Sequence, residues 1–196
     1  IPKWEIFIHQ MLNEEYTLFI TGSNASLLSS ELGTHLTGRH IPMELFPFSY
    51  SEYLSFKSRP ADEDSLLNYL RDGGIPEYVK NESEIILNTL IDDILIRDIA
   101  IRNSIKDVNS LRALAVYLLS NIGNPVSAGK LVGMFDIKAA STFLDYFSFY
   151  QRSYLLEFIP IFSYSLKVQS RNPKKVYSMD LGLANEASAN FSDNTG

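Results

Sequence analysis

The sequence predicts a mostly helical chain in three parts: an α/β opening, an all-helical middle and an α+β end. Leu18, Phe19 and Ile20 form a short apolar run closed by Thr21 and Gly22. Leu27, Leu28, Leu32 and Leu36 then recur at helical spacing until Gly38, so a buried strand is expected to feed a helix. Residues 65–103 read as helices and a turn. Beyond Val108, three helical patterns precede three β-rich runs at 155–161, 164–169 and 175–179.

Taken in order, residues 1–16 read as a helix with Pro2 in its first turn and an apolar face of Trp4, Phe7, Ile8, Met11 and Leu12. Ser23 or Asn24 caps the helix that follows the first strand. Residues 41–46 read as the next strand, which Pro47 breaks. Phe48, Tyr50, Tyr53 and Phe56 then suggest a short helix laid on the core. The polar run at 57–64, KSRPADED, is a linker whose acids serve a solvated loop and a helix cap. A helix at 65–71, a turn at Gly73, Gly74, Ile75 and Pro76, and a long helix at 84–103 complete the middle.

The last part has the order of a winged helix. Helices at 110–120, 127–135 and 138–152 are followed by the three strands, with Arg171 to Lys175 as the wing tip. In a helix-turn-helix the third helix enters the major groove while basic residues hold phosphates. That makes Lys138, Arg171, Lys174 and Lys175 the candidate nucleic-acid-binding residues, with Ser141, Thr142 and Asp145 beside Lys138 on the exposed helix face. Asp145, and the lack of an arginine before Arg152, weaken base readout. Winged helices also dock proteins, so duplex DNA and protein both stand as partners. Phe143, Tyr146, Phe147 and Tyr150, at helical spacing, are core residues. Residues 187–196, small and polar, read as a flexible tail.

Composition narrows the function classes. Hydrophobic residues at 45% and charged residues at 20% are ordinary globular values. With no cysteine there is no disulfide framework, thiolate metal site or cysteine nucleophile. No apolar run reaches membrane-spanning length, so a cytoplasmic chain without a membrane partner is expected. His9, His35 and His40 lack paired metal spacing, and Gly22 with Ser23 does not make a hydrolase elbow. Net charge is −6 but uneven: residues 1–109 carry 9 Lys and Arg against 17 Asp and Glu, and residues 110–185 carry 8 against 4. This is either a polyanion-facing second half or scatter over a solvated surface.

The stretch ITGSNASLLSSELGTHLTGRHIPMELFPFSYSEYL closely resembles the segment after the Walker B strand in a group of prokaryotic AAA-type ATPases whose core is followed by a C-terminal domain of unknown function. GGIPEY at 73–78, IRD at 96–98 and RNPKKVYSMDLGLAN at 171–185 resemble later landmarks of that family in the same order. The family opens with a P-loop and a Walker B acidic strand, because magnesium and a triphosphate need backbone amides, a lysine and carboxylates around them. Neither motif is found in these 196 residues. The resemblance therefore implies a piece of an ATP-binding, ATP-hydrolysing parent, with ATP and Mg as the parent's cofactors and neither held tightly by this chain.

The same resemblance implies a division into the end of the nucleotide-binding domain (1–56), a helical lid (57–107), the winged helix (108–186) and the tail (187–196). It matches Asn24, and next Ser23, to a sensor that hydrogen-bonds the γ-phosphate or the attacking water, a role compatible with the helix cap. Arg39 is the candidate arginine finger for a neighbouring subunit's nucleotide, or else a cation on the helix dipole. Arg97 in the lid is the candidate for nucleotide binding, or else an ion-pair member. Self-association through the AAA-type part is expected. The alternative is a non-enzymatic DNA- or protein-binding winged-helix module.

Overall fold

The computed structural model describes residues 4–13, 16–22, 41 and 43–193. The chain divides into two units, Ile1–Leu45 and Phe46–Gly196. In the first, α1 spans Trp4–Asn13, and the Tyr16 amide donates to the Met11 carbonyl at 3.2 Å. The strands expected at 18–20 and 41–46 are not formed by the described residues there. Phe19 is 90% exposed, and Met43 and Leu45 are exposed too. A strand needs a neighbour to take its N–H and C=O groups, and the described residues supply none at these positions.

The second unit opens with α2, Tyr50–Lys57, set by a capping box in which Ser49 and Glu52 satisfy each other's backbone amides. Asp62 caps α3, Glu63–Asp72, by accepting from Ser65 N at 2.8 Å. Pro76 opens α4, Pro76–Asn81. In place of one α-helix over 84–103, α5 spans Glu84–Asp93 and continues as a π-helical segment, Ile94–Ile101. The wider turn suits the burial pattern: Ile94 and Leu95, then Asp98, Ile99 and Ala100, all face inward.

Asp107 caps α6, Val108–Leu119. After it come β1 at Pro125–Val126, α7 at Ala128–Leu131, α8 at Ala140–Arg152, β2 at Leu156–Ile159, α9 at Leu166–Arg171, β3 at Lys174–Ser178 and α10 at Leu181–Asp193. The strands form one antiparallel sheet ordered β1-β3-β2, with Val126 opposite Lys174 and Phe158 opposite Val176.

Three sequence expectations are corrected here. The helix at 127–135 is only a single turn, since Gly133, Phe135 and Asp136 all take positive φ. The strand at 164–169 is helical instead: β3 already pairs on both edges, and Val168 N and Gln169 N turn back to the Ser165 carbonyl. The tail expected from residue 187 is helical to Asp193, because Leu183, Ala184 and Ala187 give α10 a buried face.

One hydrophobic core runs from Leu87 to Ala187, through the helices expected as a lid and those expected as a winged helix. As predicted, Phe143, Tyr146, Phe147 and Tyr150 are buried. Phe147 stacks on Phe158 of β2 at 4.5 Å between ring centroids, and the Tyr150 hydroxyl donates to the Leu111 carbonyl at 2.6 Å. Helix α10 packs on α3, α5 and α6, joining the two ends of the unit. Among the described residues no helix is long and apolar enough to cross a membrane.

Gly129, inside α7, is exposed, and a Cβ there would meet nothing within 4 Å. Gly129→Ala is expected to raise stability by about 0.5–1 kcal/mol, through helix propensity and a less flexible unfolded chain, read as a higher urea midpoint.

Candidate functional site

Three short stretches far apart in sequence meet at the junction of α3 and α10. Gly73, with φ +74, ends α3 by donating to the Tyr69 carbonyl at 2.9 Å. Gly74 N then donates to Asp180 Oδ2 at 2.6 Å, and Leu183 N donates to Oδ1 at 3.0 Å. On its other side the Gly74 carbonyl accepts from Phe48 N at 2.7 Å, while Phe48 O accepts the Tyr69 hydroxyl at 2.8 Å. Asn185 Nδ2 adds bonds to the Leu70 and Arg71 carbonyls at 3.1 and 2.9 Å.

The glycines are required by this close approach. A Cβ on Gly74 would lie 2.8 Å from Phe48 N and nearer still to its oxygen, and one on Gly182 would overlap the Asp72 carbonyl. Asp180 itself is 4% exposed. Burial raises its carboxyl above the usual aspartate range, against the backbone N–H groups of Gly74, Leu183 and Gly182, which lower it. A small cavity of about 140 Å³ beside it is lined by Phe46, Ser49, Tyr69 and Met179 among others. Both oxygens of Asp180 are occupied by backbone donors, so chemically the arrangement clamps segments together.

Ser23, Asn24 and Arg39 lie outside the described residues. Arg97 sits on the π-helical segment, paired with Asp93 at 3.4 Å and with the buried Asp98 at 3.7 Å. Lys138 is exposed in the loop before α8, and Ser141 and Asp145 are exposed on α8, with Thr142 half-buried. Arg171 ends α9, and Lys174 and Lys175 open β3 opposite Val126 and Pro125. Arg171 therefore lies in the arm between β2 and β3, and Lys174 and Lys175 stand where that arm re-enters the sheet. Sequence reasoning missed that this arm is also apolar: Phe162, Tyr164 and Leu166 are 83%, 97% and 78% exposed. Their alternation was the available signal, and it reads equally as a strand.

Among the described residues no three His, Asp or Glu side chains come together as a cation site. Magnesium held with ATP takes one or two carboxylates together with phosphate oxygens, and the residues expected beside the nucleotide, Ser23, Asn24 and Arg39, lie outside the described residues.

Residues 63–194, from the start of α3 almost to the end of the chain, match the family described as a domain of unknown function, DUF8612. The chain belongs to the DUF8612 family. Every partner in the Asp180 clamp except Phe48 lies within the DUF8612 region. Residues 1–54 match the AAA domain family, which makes that stretch an AAA-type ATPase-like region. The chain is 30% identical over 215 residues to the uncharacterized protein MJ1544 of Methanocaldococcus jannaschii, covering all of this chain and 48% of that protein. It is 33% identical over 141 residues to an uncharacterized protein of Haemophilus influenzae, covering 67% of this chain and 35% of that one. The chain thus spans half or less of the length of these relatives. No solved structure matches it.

Proposed function

We propose that this chain supplies the sensor, lid and partner-binding elements of an ATP-hydrolysing AAA-type ATPase, with residues 108–186 acting as a winged helix. The observation that carries the reading is the winding of α6, β1, α7, α8, β2 and β3 around a sheet ordered β1-β3-β2. The AAA domain match at residues 1–54 supports the ATPase half. In this reading Asn24, helped by Ser23, orients the attacking water, and Arg39 stabilises charge on a neighbouring subunit's nucleotide. Self-association through residues 1–56 brings that neighbour into reach. Helices α3 to α5 and the π-helical segment with Arg97, within residues 57–107, form the lid, and ATP with Mg are the cofactors of the whole protein.

The winged helix holds the partner. Exposed Phe162, Tyr164 and Leu166 suit a protein surface. Exposed Arg171 and Lys175, with Lys174 beside them in β3 and exposed Lys138 ahead of α8, favour a second reading as a duplex-DNA module. The test of the ATPase reading is steady-state hydrolysis by the whole protein: turnover lost on Arg39→Ala is the expected result, and absence of ATP binding and hydrolysis overturns it. For the DNA reading, Lys174→Ala with Lys175→Ala should lower the salt slope of duplex affinity by about two. An unchanged slope leaves protein as the partner.

A further inference from the structure

The helices ahead of Val108 enclose a second cleft, of about 320 Å³, which is at the lower end of small-molecule sites. It is separate from the sheet and does not depend on the winged-helix reading. Lys57 and Arg59 line it from the end of α2, Arg71 and Asp72 from α3, and Glu82 from the C-cap of α4. Two left-handed residues shape it. Ser58, at φ 52, turns the chain so that Arg59 N bonds the Leu54 carbonyl at 3.0 Å, and Glu82, at φ 53, bonds back to the Tyr78 carbonyl at 2.7 Å.

The donor inventory of the cleft is unbalanced. Both acids are engaged: Asp72 accepts from Arg71 Nε at 2.8 Å and from the Tyr53 hydroxyl at 3.3 Å, and Glu82 pairs with Lys57. Arg71 Nη2 also donates to Asn68 Oδ1 at 3.0 Å. Apart from Glu82 Oε2 and the second lone pairs of Asp72, what remains is mostly donors. Lys57 keeps two N–H groups, Asn68 keeps its amide NH₂, and among the described residues the Arg59 guanidinium has no hydrogen bond or ion pair. Lys57, Arg59 and Arg71 outnumber Asp72 and Glu82. A water-exposed pocket with surplus charged donors complements an acceptor-only anion. Because the spare donors come from separate elements, a tetrahedral group with oxygens in several directions engages more of them than a planar carboxylate does.

We propose that this cleft binds the phosphoryl group of a small molecule, with Arg59 and Lys57 as its charged ligands and the Tyr53 and Tyr78 side chains walling the rest of the molecule. The probe is inorganic phosphate, titrated into the chain at constant ionic strength and followed by NMR at the arginine Nε–H and backbone amides, with succinate as the carboxylate arm. Phosphate should saturate, and succinate should bind about tenfold more weakly. Arg59→Ala should weaken phosphate about tenfold, the loss of one charge-assisted contact. Glu82→Gln, which frees Lys57 and removes a negative charge, should tighten it about threefold. Both side chains are exposed, and misfolding cannot produce changes of opposite sign. Non-saturating shifts, phosphate affinity unchanged in Arg59→Ala, weaker or unchanged affinity in Glu82→Gln, or succinate as tight as phosphate would each overturn the proposal.

Discussion

Gly74→Ala is expected to cost the chain about 3 kcal/mol, because the added methyl enters the backbone of residue 48. The contact has no flexible side chain to yield: the Cβ would stand 2.8 Å from Phe48 N and closer to its oxygen. That backbone is fixed from two directions, by its own N–H on the Gly74 carbonyl at 2.7 Å and by the Tyr69 hydroxyl on its oxygen at 2.8 Å. Overpacking costs about 1–3 kcal/mol and a lost hydrogen bond about 1 kcal/mol more. The urea midpoint should fall with an unchanged m-value, and the thermal midpoint should drop by roughly 6–12 °C for a chain of this size. Gly182→Ala, which meets the Asp72 carbonyl, should behave alike, whereas Gly129→Ala moves the other way. A midpoint like that of the wild type in Gly74→Ala would mean that residues 48 and 74 do not touch in solution.

Asp180→Asn should destabilise by about 2–3 kcal/mol, although it is nearly isosteric. The aspartate accepts on both oxygens, from Gly74 N and Leu183 N. Asparagine keeps one acceptor and turns an NH₂ toward the other donor, leaving a buried N–H unpaired. The pH dependence has a definite sign. Burial raises the folded carboxyl above its unfolded value, so its contribution is fully present below the ordinary aspartate range and declines as pH rises through the folded value. The stability gap between wild type and Asp180→Asn should therefore be widest below the ordinary aspartate range and narrow as pH rises above it. Urea unfolding at one pH below the ordinary aspartate range and one above it measures this, and a gap that widens as pH rises contradicts the burial argument.

Where a residue's role is set by its neighbours in sequence, the sequence showed it. The spacing of Phe143, Tyr146, Phe147 and Tyr150 marks one helix face, and all four are buried. Helices α2, α3 and α6 lie close to their expected places, because caps such as Ser49, Asp62 and Asp107 are local devices. The stretches around Gly74 and Asp180 stood out as landmarks, yet nothing local says that they meet. Alternation misled at Tyr164, Leu166 and Val168: period two specifies a strand only where one face is buried, and this arm is solvent-facing on Tyr164 and Leu166. The phosphoryl cleft left no motif either, since its cations come from two separate stretches, the end of α2 and the last turn of α3.

The Gly74–Asp180 bond joins residues 106 positions apart. During synthesis the turn after α3 therefore waits for its acceptor for roughly 5–20 s at usual elongation rates. Over that interval α3 and α5 lack the helix that packs on them, so the earliest part of this unit is the last to become protected. A ribosome stalled before Asp180 would hold out a chain with its apolar helix faces uncovered, a substrate for chaperones or proteases, whereas passage through Leu183 supplies the acceptor and the cap together.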